Sequence, residues 1–312
     1  MTPPLALPEV HNAATRFVLD CRGRPLDCRS GQGRLREAGA YVMGILNVTP
    51  DSFSDGGRYF GCDAALQRAE VMLEEGATLI DVGGESSRPR GKAYGAGASP
   101  VEAEEETARV VPVIAAIAQR FPEALISVDT YKPDVARAAL EAGAHLVNDI
   151  TGLRYFPETA AVAAQAGAPL VVMHALGRPG EMPHEHRYGD VVEDVRAALR
   201  TSVQVAEAAG VQDVVVDPGF GFGKSPKENL RLVRSVDTFL SALGRPVLVG
   251  LSRKSTIGAV LGADVPVPVE DRLFGTLGAT AVAVLRGATL VRTHDVRPTV
   301  DMLRLLAACS FP

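Results

Sequence analysis

The sequence predicts an α/β fold, a (β/α)8 TIM barrel with a short N-terminal β-hairpin extension. Three observations lead there. From Tyr41 onward, eight short β-type apolar runs alternate with eight longer helical patterns, the beat of βα units around a parallel sheet. These units fill roughly 270 residues, the usual size of one such barrel. No Gly-x-Gly-x-x-Gly follows the first run, as an open dinucleotide-binding sheet would want.

The elements follow in order. Residues 1–12 are Pro-rich and read as disordered. Segment 15–36 repeats Leu-Asp-Cys-Arg, at 19–22 and 26–29, around Gly23-Arg24-Pro25, which reads as a short hairpin with free thiols followed by a polar connection. Residues 1–40 are therefore expected to be an extension and 41–312 a single barrel domain. Strands are predicted at 41–46, 78–82, 125–128, 145–147, 169–173, 213–216, 246–249 and 289–291. Helices are predicted at 63–75, 101–120, 133–142, 158–166, 191–209, 227–243, 270–286 and 297–308. The pairs Ala142-Gly143, Ala166-Gly167 and Ala209-Gly210 close three of these helices, as glycine does at helix C-termini.

Composition narrows the function. The 312 residues are 46% hydrophobic with a net charge of −5, enough apolar material for a core and too little basic charge for general nucleic-acid binding. No apolar run is long enough to span a membrane, and no signal pattern opens the chain, so a cytoplasmic protein is expected. Cys21, Cys28, Cys62 and Cys309 show no CxxC spacing, which argues against zinc.

The stretch from Asp217 to Ser225 ends in Gly-Lys-Ser and resembles a phosphate loop. The Walker pattern fails because Pro218 stands where its first glycine belongs. What remains is a carboxylate at a strand end, then a flexible loop with two aromatic rings, which suits a flat ligand. In a barrel the active site lies at the C-terminal strand ends. The first polar residues there are Asn47, Asp81, Asp129, Asn148 with Asp149, His174, Asp217, Ser252 with Lys254, and Arg292 with His294. One alone reads equally well as a helix cap; all eight ends together point to one pocket. Asp129, Asn148 and Asp217 suit the edge of a nitrogen heterocycle. Lys254, Arg88, Arg292 and His294 suit phosphate oxygens. A His-Asp-His pattern is missing from the sequence, so any metal is expected to be Mg2+ held by few protein oxygens and by substrate phosphates. Segments 49–61 and 83–99 are long for barrel connections and read as lids.

Seven blocks now resemble the dihydropteroate synthase family. They are Met43 to Gly57, Asp81 to Pro89, Ser127 to Thr130, Asn148 to Ile150, Asp217 to Lys224, Gly250 to Ser255, and Arg292 to Val296. The resemblance implies that 6-hydroxymethyl-7,8-dihydropterin pyrophosphate is joined to p-aminobenzoate, a step of folate biosynthesis. It implies that Asp129, Asn148, Asp217 and Lys254 hold the pterin between Met173 and Phe222. Asn47 would ligate Mg2+, while Arg88, Arg292, Thr293 and His294 would grip the pyrophosphate. Ser87, Phe53, Pro89 and Ser255 would form the p-aminobenzoate site. Lys254, Asp217 and Asp55 would be catalytic. A homodimer through segments 270–286 and 297–308 and binding of sulfonamide analogues are also implied. Ser87 and Arg90 depart from the family pattern, which has Thr and Gly there. The alternatives are a pterin-binding methyltransferase and a non-catalytic pterin-binding paralogue.

Overall fold

The computed structural model describes residues 17–29, 40–48, 58–86, 100–177, 188–262 and 264–310. Strands β1 (Val18–Asp20) and β2 (Pro25–Asp27) pair antiparallel, with Leu19 opposite Leu26. Arg22 and Gly23 at the turn both have positive φ, 56° and 86°, as a two-residue turn that follows the strand twist requires. The expected short hairpin is therefore present; residues 1–12 and the expected polar connection at 30–36 lie outside the described residues.

Eight parallel strands follow. They are β3 (Tyr41–Asn47), β4 (Leu79–Gly83), β5 (Leu125–Asp129), β6 (Leu146–Asp149), β7 (Leu170–Met173), β8 (Val214–Asp217), β9 (Leu248–Val249) and β10 (Leu290–Thr293). Each pairs with its sequence neighbour, and β10 returns to β3, Leu290 opposite Tyr41. Between β8 and β9 a single bridge, Val216 to Val247, closes the ring, with Val216 N–H donating to Pro246 O at 3.0 Å. The strands are buried on both sides because helices cover the outside. That is why they read as nearly unbroken apolar runs.

The covering helices are α1 (Arg58–Glu74), α2 (Ala103–Arg120), α3 (Pro133–Glu141), α4 (Glu158–Gln165), α5 (Val191–Ala208), α6 (Pro226–Arg234), α7 (Val236–Leu243), α8 (Ser255–Leu261), α9 (Leu273–Leu285) and α10 (Val296–Ser310). Gly143, Gly167 and Gly210 end helices with positive φ, as the Ala-Gly pairs predict. Segment 227–243 is two helices rather than one, because Ser235 leaves the helical region at φ −113°, ψ 19°. Segment 270–286 opens with a 3-10 turn, Val269–Arg272, before α9. None of the described helices is long and apolar enough to cross a membrane.

The hairpin packs against the N-terminal, floor end of the barrel. Leu19, Cys21, Leu26 and Cys28 are buried with the main core. Asp20 N–H donates to the Asp213 carboxylate just before β8, at 2.8 Å. Arg22 Nη1 donates to the carbonyls of Leu140 and Ala144, at 2.7 and 2.6 Å. Arg24 donates to the carbonyls of Ala124 and Pro122. The opposite end is left for the site.

Candidate functional site

A cavity of about 630 Å³ opens at the C-terminal strand ends. Its wall includes Asn47, Asp129, Asn148, Met173, Asp217, Phe222, Lys254, Arg292 and His294, all read from the sequence as site residues. A wider hollow of about 1120 Å³ lies at the floor beside the hairpin. It is lined by none of the carboxylates at the C-terminal ends of the barrel strands, and its Arg29 and Asp27 pair with each other.

Two sequence-predicted residues do not line the cavity. Thr293 is buried; its hydroxyl accepts from Asp295 N–H and meets the Thr299 hydroxyl, which fastens the start of α10. Ser255 is the first residue of α8. Phe53, Asp55, Ser87, Arg88 and Pro89 lie outside the described residues, as do most of the two expected lids.

The Asp217 side is built by backbone geometry. Asp217 ends β8, is buried, and accepts from Gly219 N–H at 2.7 Å. Desolvation raises its pKa to about 6, against the pull of that N–H and of Lys224, Lys254 and Arg292. Beside it stands Asn148, also buried, whose Nδ2 donates to Asp81 at 3.1 Å. Met173 and Phe222 belong to a small apolar cluster with Tyr131, Ile150 and Ala175, separate from the main core. They give the cavity a dry wall suited to a ring face. Lys254 Nζ sits 3.7 Å from the Phe222 ring centroid, a cation–π contact. Burial brings the Lys254 pKa down to about 8, helped by Arg292 and opposed by Asp217 and Asp129.

The cationic side centres on Arg292. Its Nε donates to Asp81 and its Nη2 to Asp129, both at 2.6 Å. Burial works against the guanidinium charge, but Asp81 and Asp129 outweigh it and hold Arg292 protonated. Asp129 is itself held above the usual carboxylate range, because desolvation exceeds the attraction of Arg292. His294 Nδ1 lies 3.0 Å from Ser252 Oγ. Burial, with Arg292 and Arg253 nearby, pushes its pKa down to about 3. Toward a phosphate this ring offers an N–H rather than a charge.

Sequence reasoning gave no role to Asp81 or Glu85. Asp81 is fully buried and joins Arg292 to Asn148 through one oxygen. Glu85 lines the cavity and is held by Lys132 Nζ at 2.5 Å, with Tyr131 Oη at 3.3 Å. Asp81, expected from the sequence at a strand end, lies in the middle of β4; what no local pattern shows is its partner. The Gly-Lys-Ser end of the 217–225 stretch is engaged within the protein. Ser225 caps α6 in a capping box with Glu228, and Lys224 Nζ is spent on backbone carbonyls.

The donor chemistry bears on a metal. Among the described residues, no group of three or more His, Cys, Asp or Glu could hold one. The Asn47 amide, exposed at the end of β3, is a hard neutral oxygen donor of the kind Mg2+ accepts alongside phosphates and water.

Residues 43–294 match the pterin binding enzyme family. Dihydropteroate synthase of Escherichia coli K12 is 44% identical over 270 residues, covering 86% of this chain and 91% of that protein. A probable bifunctional folylpolyglutamate synthase/dihydropteroate synthase of Haloferax volcanii is 44% identical over 323 residues, covering 99% of this chain. The chain spans only 36% of that relative's length. The solved dihydropteroate synthase of Xanthomonas albilineans with 4-aminobenzoic acid is 42% identical, with a TM-score of 0.81 over 96% of this chain and 100% of that one. The enzyme of Thermus thermophilus in complex with 6HMPPP is 40% identical, with a TM-score of 0.73 over 93% of this chain and 99% of that one.

Proposed function

The chain belongs to the pterin-binding enzyme family, alongside its dihydropteroate synthases, and on that premise we propose that it joins 6-hydroxymethyl-7,8-dihydropterin pyrophosphate to p-aminobenzoate. The products are 7,8-dihydropteroate and pyrophosphate. The observation that carries this reading is one cavity that brings Asp217, Asn148 and Asp129 together with the cations Lys254 and Arg292 and the neutral ring of His294.

Asp217 and Asn148 meet the N–H and C=O edge of the pterin, between Met173 and Phe222. Lys254 donates to the ring from above Phe222. Arg292, with Arg88 and His294, receives the diphosphate, and Thr293 holds the start of α10 in place behind them. Asn47 would hold Mg2+, which when bound neutralises diphosphate charge. As the C–O bond to the diphosphate breaks, positive charge develops on the pterin methylene and spreads into the ring. The buried carboxylates of Asp217 and Asp129 stabilise that charge in a site of low dielectric. The neutral arylamine then forms the C–N bond and releases its proton, so no strong general base is required. Asp55 is assigned to the closed site near the methylene, and Phe53, Ser87, Pro89 and Ser255 to the p-aminobenzoate end. A cytoplasmic location fits this role; recovery of the protein in the membrane pellet on cell fractionation would contradict it.

The test is pyrophosphate release in Mg2+ buffer with and without p-aminobenzoate. Release that depends on both substrates supports the reading, and none from folded protein ends it. The pH profile of kcat/KM for the pterin substrate is expected to be bell-shaped. Asp217 gains its proton as pH falls through about 6, losing its negative charge. Lys254 loses its proton as pH rises through about 8, losing its positive charge. Activity therefore declines on both sides. A flat profile across that window would remove these two groups from pterin recognition.

A homodimer also belongs to this proposal. Phe274 is 84% exposed at the start of α9, with Val282 and Leu285 exposed further along the same helix and Leu305 exposed on α10. Such a patch suits a second copy of the chain. Phe274→Asp is expected to convert the dimer to monomer in sedimentation velocity; an unchanged dimer would place the interface elsewhere.

A further inference from the structure

Lys224 is a cation at this site for which the reaction has no task. The loop after β8 places Gly219, Gly221 and Gly223 at φ 71°, 82° and 67°. These left-handed residues turn the carbonyls of Gly219 and Phe222 inward, where they meet the carbonyl of His174 from the end of β7. Lys224 Nζ donates to all of them, at 2.8 Å to Gly219, 3.1 Å to Phe222 and 3.2 Å to His174. An ammonium has three donors, and each has an acceptor. The side chain keeps partial exposure, yet its ammonium is desolvated enough to bring its pKa to about 7, with Asp217 opposing that shift.

The packing around this cage is tight. A Cβ on Gly219 would lie 1.8 Å from His174 O and 3.2 Å from Lys224 Nζ. A Cβ on Gly221 would lie 2.9 Å from Lys254 Cδ. The caged loop also carries Phe222, whose ring is 3.7 Å from Lys254 Nζ. Gly221 N–H is held from outside by Asn229 Oδ1 at 2.8 Å. The ammonium is thus the centre about which the loop folds, and the loop backs Lys254 and presents Phe222.

We propose that Lys224 is a positioning residue whose ammonium acts as a tethered monovalent cation in a three-carbonyl cage, setting Phe222 and Lys254 at the pterin end of the cavity. This rests on the reading of that cavity as a pterin site. The oxygen distances suit an ammonium ion and are too long for Mg2+. Shortening the side chain should therefore leave a vacant site that free ammonium can enter.

Lys224→Ala is expected to raise KM for the pterin pyrophosphate about 10-fold, leave KM for p-aminobenzoate unchanged, and lower the melting temperature. Ammonium chloride at about 0.1 M should restore both properties, and tetramethylammonium chloride at equal ionic strength neither. Wild-type KM values, or a loss indifferent to ammonium, overturn the proposal. The melting temperature needs no substrate, so an ammonium-specific rise in Lys224→Ala stands even if pyrophosphate release by the wild type fails. Should Lys224→Ala not fold, Lys224→Gln, which keeps two N–H donors, is expected to fold and to show the raised pterin KM alone. Equal rises in both KM values, or failure of both variants to fold in ammonium, count against it.

Discussion

Asp217→Asn is expected to lower kcat/KM for the pterin pyrophosphate by about 10³-fold while leaving the fold intact. Asparagine has nearly the same shape and keeps an oxygen for Gly219 N–H, the bond Asp217 makes at 2.7 Å. What it loses is charge and an acceptor. Its NH2 would face ring N–H groups, setting donor against donor in a buried place where an unmet polar group costs about 1–3 kcal/mol. It also removes the negative charge that answers the developing methylene cation. Lys254→Ala should fall as far, because the ammonium above Phe222 has no substitute on that wall. Circular dichroism checks the fold and pyrophosphate release the rate. Activity within a few-fold of wild type in either variant would show that the pterin edge lies elsewhere.

Arg292→Met is expected to cost about 3–5 kcal/mol of stability, the usual penalty for breaking a buried ion pair from one side. Arg292 stands between Asp81, which is fully buried, and Asp129. Removing it leaves two carboxylates without their cation in a dry site, and Asp129, already raised by burial, will hold its proton more tightly. A carboxyl whose pKa is raised on folding stabilises the folded state at low pH, and this contribution is lost as pH rises through the unfolded value and on to the folded one. Asp129 already lies above the usual carboxylate range, so the deficit of the variant should shrink as the solution is acidified. The double variant Asp81→Asn with Arg292→Met should recover part of the loss, since one unpaired charge is gone. Urea unfolding at neutral and mildly acidic pH reads both effects. A deficit below about 1 kcal/mol, the scale of an exposed pair, would mean that water reaches these carboxylates.

The site was legible where polarity breaks an apolar run. Asp129 and Asp217 each end a strand of buried residues, and Asn148 stands one position before the end of another, and that break is local. The link between Asp81 and Arg292 spans 211 positions, and no pattern of neighbours announces it. Helix α8, which the sequence reading does not include, has seven residues, too few for a period to show. The division between α6 and α7 falls at Ser235, a residue with no strong breaking tendency; tertiary packing decides it. Thr293 sits one position from Arg292, and strand alternation turns neighbours to opposite faces. That explains why Arg292 lines the cavity while Thr293 is buried against Thr299.

The two ends of the barrel are written in different alphabets. At the floor, Arg22 and Arg24 of the hairpin address the carbonyls of Leu140, Ala144, Ala124 and Pro122. Those acceptors belong to the main chain, and every amino acid supplies them. Replacing any of the four residues leaves the anchor point in place, so these positions can drift in sequence without letting go of the plug, whereas Asp213 holds Asp20 N–H through its carboxylate. At the top, Asp81, Asp129, Asn148 and Arg292 address one another through side chains, and each letter must be kept. A library of random substitutions should therefore find the barrel permissive beneath the hairpin and unforgiving around the cavity, although both ends are held by hydrogen bonds of similar length.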